Sequence, residues 1–315
     1  MLKVFGARSI VDNRQPIALT LGNFDGVHLG HQKMIQEFLQ FAGSTPTCVL
    51  TFFPHPTRIF APHAPKPLIL SLQQRVEKLL ETGIQVAVVQ DFSEQFANLS
   101  ADSFVTDYLA ESFNIKKVMI GHDFSYGKDR VGNFVHLQRM AAKQNWEVAL
   151  GSTLKKNGVI VSSSRIRELV ASGKVDEAEQ LLGYPYALDG LVIHGDKRGR
   201  TIGFPTANLG FHNEVVPAFG VYACRVRRLV TGETFPAVLN CGFRPTLGEH
   251  LRLQIEAHIF DFSEDIYGEQ VSFQLKKFIR SEMKFSGLAE LKEQISQDIL
   301  AAQRFFDSRQ HSAGC

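Results

Sequence analysis

The chain has 315 residues, longer than most single hydrophobic cores, which favours two domains of roughly 100 to 200 residues each. Hydrophobic residues make up 44% and charged residues 21%, a composition typical of globular proteins and unlike that of disordered or fibrous chains. The 34 basic and 32 acidic residues leave a net charge of +2. Because binding to nucleic acid or to an anionic membrane depends on excess Lys and Arg, neither is expected as a partner, and any bound anion should be small.

The cysteine pattern argues against disulfide bonds. The four cysteines, Cys48, Cys224, Cys241 and Cys315, have no CxxC spacing and are too few for a disulfide framework. We interpret them as reduced and the protein as cytoplasmic. The N-terminus lacks the uninterrupted apolar segment of a secretory signal, and no run of about 18 apolar residues predicts a membrane span.

Strand-like and helix-like segments alternate from about residue 17 to about residue 182. The predicted strands are the apolar runs at residues 17–21, 48–52, 86–89 and 117–120. The predicted helices lie near residues 30–42, 71–82, 101–112, 133–144, 163–172 and 175–182. This alternation predicts an α/β domain with a parallel sheet, and such sheets bind ligands beyond the carboxyl ends of their strands.

Residues 183–186 (GYPY) break this pattern, and we place the domain boundary there, with domains at 1–184 and 185–315. Beyond it, short β-like runs separated by Gly, Pro, Asn and Asp clusters predict a small closed barrel; they lie at residues 188–194, 220–227, 235–239, 251–260 and 270–278. An amphipathic helix with Ser286 as its N-cap is expected to end the chain.

The most informative segment is residues 21–31, LGNFDGVHLGH, at the end of the first predicted strand. His28 and His31 fall in the first turn of the next helix, where backbone N–H groups and the helix dipole favour an anion. Such donors suit adenylyl transfer from ATP, which builds negative charge around the α-phosphate. The open alternatives are an ordinary packed or surface histidine pair and a pair of metal ligands.

A second motif, VSSSRIR at residues 161–167, opens a predicted helix. It fits a mobile loop whose hydroxyls and arginines hold the β- and γ-phosphates of a nucleotide. A serine-rich helix cap followed by an exposed basic turn is the alternative.

In the C-terminal half, residues 194–208 (HGDKRGRTIGFPTAN) combine glycines, basic residues and a Pro-Thr-Ala-Asn unit. The glycines and Lys197 are suited to cradle phosphates, while Thr206 and Asn208 offer hard oxygens to Mg²⁺. A solvated hairpin tip is the alternative. The GK[ST] order of a Walker A motif is absent.

Phosphate transfer to an alcohol calls for a carboxylate or a histidine that accepts the hydroxyl proton. Glu256 is the candidate, because the alternating pattern of residues 251–260 places it on one strand face with Gln254 and His258. An ordinary exposed strand glutamate is the alternative.

Four segments of the N-terminal half resemble, in order, motifs of the bacterial bifunctional riboflavin kinase/FAD synthetase family: residues 22–31, 52–56 (FFPHP), 121–127 (GHDFSYG) and 162–167. The resemblance implies a Rossmann-like nucleotidyltransferase domain that adenylylates FMN. It places Asp123 at the flavin site and makes His28 and His31 catalytic. The ATP-binding residues that it implies are Gly22, Asn23, Phe24, Asp25, His28, His31, His55, Ser163, Arg165 and Arg167.

The C-terminal half resembles the riboflavin kinase module of the same family at residues 205–208, 220–223, 240–246 and 256–268. The resemblance implies a six-stranded antiparallel β-barrel with a C-terminal helix. It also implies that Glu256 activates the ribityl 5′-hydroxyl and that Arg244 helps to close the flavin site. The residues it implies for ATP and Mg²⁺ are Gly195, Lys197, Thr206 and Asn208, the last two at the metal.

We therefore predict an enzyme that phosphorylates riboflavin with ATP in its C-terminal domain and adenylylates the resulting FMN to FAD in its N-terminal domain, releasing pyrophosphate. Its expected partners are ATP with Mg²⁺, riboflavin and FMN, with neither nucleic acid nor membrane. Two alternatives stay open: a flavin-binding sensor or carrier without turnover, and a class I aminoacyl-tRNA-synthetase-like enzyme that forms adenylates. The sequence leaves the oligomeric state open.

Overall fold

The computed structural model describes residues 2–195, 199, 202–245 and 251–312. The chain divides into two compact units, Met1–Ser163 and Ser164–Cys315. Within the described ranges, no helix combines the length and the apolar composition needed to cross a membrane.

The first unit alternates strands and helices, as the sequence predicts. Its strands are Leu2–Gly6 (β1), Ile17–Leu21 (β2), Thr47–Phe53 (β3), Val86–Asp91 (β4), Ile115–Ile120 (β5), Glu147–Leu150 (β6), Lys155–Lys156 (β7) and Val159–Ile160 (β8). Its helices are Ser9–Asp12 (α1), Leu29–Ala42 (α2), Thr57–Phe60 (α3), Leu72–Glu81 (α4), Glu94–Ala97 (α5), Ala101–Ser103 (α6), Ala110–Ser112 (α7) and Phe134–Gln144 (α8). A π-helical segment, Phe104–Leu109, joins α6 to α7, and a short 3₁₀ turn covers Lys128–Arg130.

The first six strands form one sheet in the order β1-β4-β3-β2-β5-β6. Strands β2 to β6 are parallel and confirm the predicted sheet, whereas β1 is an antiparallel edge strand. The edge strands β1 and β6 were not predicted, because partly exposed strands lack a continuous apolar run. From β2 the chain moves first to β3 and later to β5 on the other side, so a ligand crevice is expected where β2 and β5 end.

The second unit contains a barrel and, in the part of the chain that the structure describes in full, three helices. Its strands are Ala187–Ile193 (β9), Ala207–Phe211 (β10), Gly220–Arg228 (β11), Thr234–Pro245 (β12), Leu251–Ile259 (β13) and Gln270–Ser281 (β14). Its helices are Ser163–Ala171 (α9), which starts at the last residue of the first unit, Val175–Leu182 (α10) and Leu288–Ser312 (α11).

The six strands close into a barrel in the order β10-β13-β12-β11-β14-β9, with every pair antiparallel. This confirms the barrel and its C-terminal helix. The sequence did not predict β10, whose five residues include Gly210 and form too short an apolar pattern. Strand β10 places Asn208 directly opposite Glu256 on β13.

Helix α10 packs against β14 of the barrel. Lys276 Nζ lies 2.8 Å from Glu179 and Lys277 Nζ lies 2.7 Å from Asp176. The predicted domain boundary between residues 184 and 185 falls after this helix, whereas the two compact units meet at Ser163. The predicted boundary therefore stays a prediction.

Three cysteines, Cys48, Cys224 and Cys241, are free and buried, which agrees with the prediction of reduced thiols. Burial raises the pKa of the Cys48 thiol to about 12, and that of Cys241, which also lies near Glu282, to about 12. Thiols held in this neutral form are poor nucleophiles. Cys315 lies outside the described residues.

The C-terminal helix is attached to the barrel by a buried ion pair. Arg280 donates from Nε and Nη2 to the two carboxylate oxygens of Asp298, at 2.8 and 2.7 Å. Only 6% of the Asp298 side chain is exposed, so water screens this pair little. Ser286, the predicted N-cap, lies two residues before the helix and donates from its N–H and hydroxyl to Glu290.

Replacing Asp298 with alanine is expected to lower the free energy of unfolding of the barrel unit by about 3 kcal/mol, because the Arg280 charge then loses its buried partner. Urea unfolding followed by far-UV circular dichroism measures the change. Glu293→Gln, an exposed change on the same helix, is the control. Equal unfolding midpoints for the two variants would show that the ion pair does not stabilise the helix.

Candidate active sites

The chain makes a tight turn between β2 and α2. Phe24, Gly26 and Val27 all have positive φ angles, of 49°, 85° and 33°. At the start of α2, a Cβ atom on Gly30 would lie 3.1 Å from the His28 ring and 3.3 Å from the Val161 carbonyl oxygen. Glycine at position 30 therefore leaves the space that the His28 imidazole occupies.

His28 is the N-cap of α2, and the residue is 5% exposed. Its Nδ1 accepts a hydrogen bond from the His31 backbone N–H at 3.3 Å. Because a neutral imidazole has one acceptor and one donor nitrogen, this bond makes Nε2 the donor. The two histidine rings stack with centroids 3.7 Å apart, so both predicted side chains lie at the helix N-terminus.

His31 has a buried Nδ1 atom that finds no hydrogen-bond partner among the described residues. Burial, with a smaller contribution from His28, holds the pKa of His31 well below its usual value. The imidazole is therefore neutral near pH 7. A buried polar atom without a partner is costly, and here it lies where a helix N-terminus favours an anion.

His55 follows β3 and is 8% exposed. Its Nδ1 accepts the Thr57 backbone N–H at 3.2 Å and contacts the Thr57 hydroxyl at 2.8 Å. As for His28, this contact leaves Nε2 as the donor. Because β2 and β3 are parallel neighbours, the two histidines follow adjacent strand ends, although they are 27 positions apart in sequence (55 − 28).

Asp25 lies inside the turn, with 3% of its surface exposed. Its carboxylate accepts backbone N–H groups of Ile69 and Leu70, at 3.0 to 3.4 Å. Its carbonyl oxygen accepts the Ser163 hydroxyl at 2.8 Å, which brings Ser163 to the turn. The contacts observed for Asp25 anchor the backbone, and its predicted contact with ATP stays a prediction.

The remaining predicted residues of the first unit lie close to this turn. Gly22 packs under the Phe24 ring, and the Phe24 ring meets the His31 ring edge to face at 5.4 Å. The Asn23 Oδ1 atom is buried and has no hydrogen-bond partner in the described part of the chain. Asp123 is exposed in the loop after β5.

Arg165 and Arg167 belong to the second compact unit, on α9. Arg165 is exposed and lies 3.2 Å from Glu168. Their contacts with nucleotide phosphates, as proposed from the resemblance, stay predictions.

In the barrel, Gln254 joins Asn208 to Glu256. The Gln254 Nε2 group donates to Asn208 Oδ1 at 2.8 Å and also to Glu256 Oε1. Ile255 and Ala257, on the opposite strand face, are buried, so the predicted alternation of β13 is correct. A Cβ atom on Gly195 would overlap the Asn208 amide, which explains glycine at that position.

A cavity of about 340 Å³ lies beside this cluster. Its lining combines apolar side chains, among them Val192, Ile259 and Ile266, with the polar residues Thr206, Ser263, Glu264 and Asp265. Lys197 lies outside the described residues, and so does the side chain of Arg244, whose backbone belongs to β12. Because Ala207 and Ala257 also line the cavity, it shares strands β10 and β13 with the cluster of Asn208, Gln254 and Glu256.

Sequence reasoning missed two residues that lie against these sites. Arg75, on α4, is 1% exposed and donates to two carbonyl oxygens beneath the histidine turns. The sequence does mark Arg75, because this charged residue lies on the apolar face of α4, four positions before Leu79. Glu282 lies against Gly242, where a Cβ atom would overlap its carboxylate, and no sequence pattern marks this contact.

The structure combines a parallel α/β unit, which carries the cluster of His28, His31 and His55, with a closed six-stranded barrel, which carries the cluster of Asn208, Gln254 and Glu256. The family model for FAD synthetase matches residues 10–165, and that for riboflavin kinase matches residues 182–306. Together these models cover most of the chain, in the predicted order.

Curated relatives agree with both models. Bifunctional riboflavin kinase/FMN adenylyltransferases from Escherichia coli K12 and Bacillus subtilis are 39% and 40% identical to the chain. The alignments cover 91% and 95% of this chain, and 92% and 95% of those proteins. The chain belongs to this bifunctional riboflavin kinase/FMN adenylyltransferase family. This confirms the predicted resemblance and favours the two-activity enzyme over the sensor and the synthetase-like alternatives.

A solved structure is also similar to the whole chain. It is described as a macrolide-efflux protein from Streptococcus pneumoniae and is 33% identical, with a TM-score of 0.83. The match covers 91% of this chain and 94% of that one. The match therefore extends over nearly the full length of both chains.

Acidification is expected to destabilise the first unit through His31. Because its pKa is lower in the folded chain than the usual 6.5, only the unfolded state binds a proton just below pH 6.5. Stability is thus lost as pH falls through 6.5, by at most about 1.4 kcal/mol per pH unit. Fluorescence of the single tryptophan, Trp146, follows unfolding at pH 7.5 and 5.5.

His31→Gln is expected to reduce this pH dependence, whereas a glutamine at the exposed His63 serves as the control and should leave it as in the wild type. An equally steep loss of stability in His31→Gln and wild type would rule out His31 as its source.

Proposed function

We propose that the first unit transfers the adenylyl group of ATP to FMN, and that the barrel phosphorylates riboflavin to supply the FMN. The observation that carries the first half is the shared tautomer of His28 and His55. Both have Nδ1 bound to a backbone N–H, so both present Nε2 as a donor at neighbouring strand ends. Neutral donors held in this way suit a polyanion such as a triphosphate.

Adenylyl transfer at this site needs charge stabilisation more than proton transfer. The FMN phosphate is largely a dianion at pH 7 and attacks the α-phosphate without a base. His28 and His31, with the N-terminal N–H groups of α2, stabilise the charge that builds as pyrophosphate leaves. The neutral His31 ring keeps one N–H group, which can donate to a phosphate oxygen.

Other residues complete the proposed adenylyltransferase site. Gly22, Asn23, Phe24 and Asp25 form the turn beneath the phosphates, and His55 positions them. Ser163 bonds to the same turn, and Arg165 and Arg167 serve the β- and γ-phosphates. Asp123, in the loop after β5, contacts the flavin.

In the barrel, Glu256 is the proposed base for the riboflavin 5′-hydroxyl. A hydroxyl is a weak nucleophile, so a carboxylate that accepts its proton is required. The contact with Gln254 fixes the orientation of the Glu256 carboxylate, which supports this role. The adjoining cavity accepts the nucleoside of ATP, Gly195 and Lys197 serve its phosphates, and Arg244 serves the flavin.

Thr206 and Asn208 fit the role of Mg²⁺ ligands. Both side chains offer neutral hard oxygens, which Mg²⁺ prefers. Asn208 Oδ1 accepts a hydrogen bond from Gln254, and a carbonyl oxygen has a second lone pair to offer. Bound with ATP, the ion would neutralise phosphate charge during transfer. The proposed partners are the small molecules ATP, riboflavin and FMN, and the proposed location is the cytoplasm, where such metabolites are available.

Two substitutions test the division of labour. Glu256→Ala is expected to lower FMN formation from riboflavin by about 10²-fold or more, while FAD formation from supplied FMN is retained. His28→Ala is expected to do the reverse, with a loss of about 10²-fold, because the donor to the transition state is removed. Chromatography of flavins after incubation with Mg-ATP measures both reactions.

Loss of both activities in either variant, with the fold intact by circular dichroism, would contradict the assignment of one reaction to each unit. Absence of FMN and FAD in the wild-type reaction would contradict the proposed function itself.

Gly30→Ala tests the packing of His28. The added methyl group is expected to displace the His28 ring by a few tenths of an ångström and to slow FAD formation about 2- to 10-fold, with riboflavin phosphorylation unchanged. Gly287→Ala, where a Cβ atom meets nothing within 4 Å, is the matched control. Wild-type rates of FAD formation in Gly30→Ala would show that the His28 ring needs no such space.

A further inference from the structure

Arg75 contacts the turn that leads to His28 and the strand that leads to His55. Its Nη1 group donates to the Asn23 carbonyl oxygen and its Nη2 group to the Phe52 carbonyl oxygen, each at 2.9 Å. Asn23 lies on the segment that leads from β2 to His28, and Phe52 on the strand that leads to His55. One guanidinium group therefore joins the two segments that carry the proposed phosphate donors.

These contacts lie where the backbone bonding between β2 and β3 stops. The last paired residues of the two strands are Leu21 and Leu50, and Gly22 N–H then donates to the Leu50 carbonyl oxygen at 3.1 Å. Beyond this point the segment after β2 turns toward α2 and the segment after β3 turns toward α3. The Thr51 hydroxyl also donates to the Asn23 carbonyl oxygen, at 3.2 Å. Side chains thus hold the strand ends together where backbone bonds do not.

The charge of Arg75 is costly to bury. Burial lowers its pKa to about 10, and the nearby Asp25 carboxylate opposes this shift, so Arg75 is still charged at pH 7. A buried charge persists when it is paired and hydrogen-bonded, and an apolar side chain would fill the same space without that cost. Only a planar fork of donors, however, reaches two separate carbonyl oxygens at once.

We propose that Arg75 is a positioning residue of the adenylyltransferase site. By holding the Asn23 and Phe52 carbonyl groups, it sets the separation of His28 and His55, and so the span over which one triphosphate is bound. This inference rests on the proposed function of the first unit. The proposed role is to fix the distance between the His28 and His55 donors. A residue that only stabilises the fold would not need to fix this distance.

The test uses the full chain and compares Arg75→Met, Arg75→Lys and the control Glu77→Gln, an exposed change on α4. For FAD formation from FMN, the kcat/KM for ATP is expected to fall about 10- to 100-fold in Arg75→Met. A catalytic group displaced by about 1 Å can slow a reaction by that factor. Arg75→Lys should recover part of the lost kcat/KM, since an ammonium group can bind one of the two carbonyl oxygens. Riboflavin phosphorylation by the same molecules should be unchanged.

Inhibition by phosphate compounds separates positioning from stability. Inorganic tripolyphosphate offers three linked phosphate groups to the two proposed donors, whereas AMP offers a single phosphate. In Arg75→Met, the inhibition constant of tripolyphosphate is expected to rise by about 10-fold and that of AMP to change little. Equal weakening of both inhibitors, or a lower unfolding temperature with unchanged kinetics, would overturn the proposal.

Thr51→Val provides a second variant if Arg75→Met does not fold. It keeps the side-chain shape and removes the other side-chain donor to the Asn23 carbonyl oxygen. In Thr51→Val the inhibition constant of tripolyphosphate is again expected to rise more than that of AMP, but by a smaller factor. If neither Thr51→Val nor Arg75→Lys shows this difference, the proposal is overturned. A wild-type chain that forms no FAD would overturn the proposed function as well, whereas normal FAD formation with unaffected variants would overturn this inference alone.

Discussion

The ends of parallel strands leave backbone groups that the sheet no longer pairs, and the first unit is organised around this constraint. At the carboxyl ends of β2 and β3, Arg75 and Thr51 bind carbonyl groups that the sheet leaves unpaired. Asp25, in the turn after β2, binds N–H groups of the segment before α4. These contacts hold a turn with positive φ angles that α2 alone would not stabilise. The proposed anion site therefore lies next to backbone groups that the sheet leaves unpaired and that side chains satisfy.

Histidine is suited to this position because each ring can use one nitrogen for structure and the other for chemistry. In His28 and His55, Nδ1 accepts a local backbone N–H, which fixes both the ring and its tautomer. The structural bond and the proposed donor to a phosphate are then the two ring nitrogens of one side chain. His31 differs, since its buried Nδ1 has no partner in the described part of the chain and its pKa is lowered.

The barrel satisfies its backbone polar groups in another way. A closed barrel pairs the backbone of every strand, so its chemistry depends on side chains in the middle of strands. Pairing of β10 with β13 brings Asn208 opposite Glu256, and the Gln254 amide uses both of its hydrogens to join them. Nearby glycines, Gly195 and Gly242, let neighbouring side chains approach where a Cβ atom would overlap them.

Local patterns in the sequence were sufficient for much of this protein. Buried parallel strands and helices with one apolar face are periodic, so the main strands of the sheet and the helices after them could be predicted. Period-2 alternation was likewise enough to place Glu256 beside Gln254. The motifs around His28 and Asn208 further pointed to a nucleotide chemistry and to a family, which the comparisons with known proteins confirm.

Edge strands β1 and β6 and the short strand β10 were missed, because partial exposure and short length remove the pattern on which such predictions depend. The role of Arg75 could not be read from the sequence either, since its partners, Asn23 and Phe52, are 52 and 23 positions away. Periodicity reports which residues share a face of one element. Only the tertiary structure decides which strand ends are neighbours, and therefore which side chains meet between them.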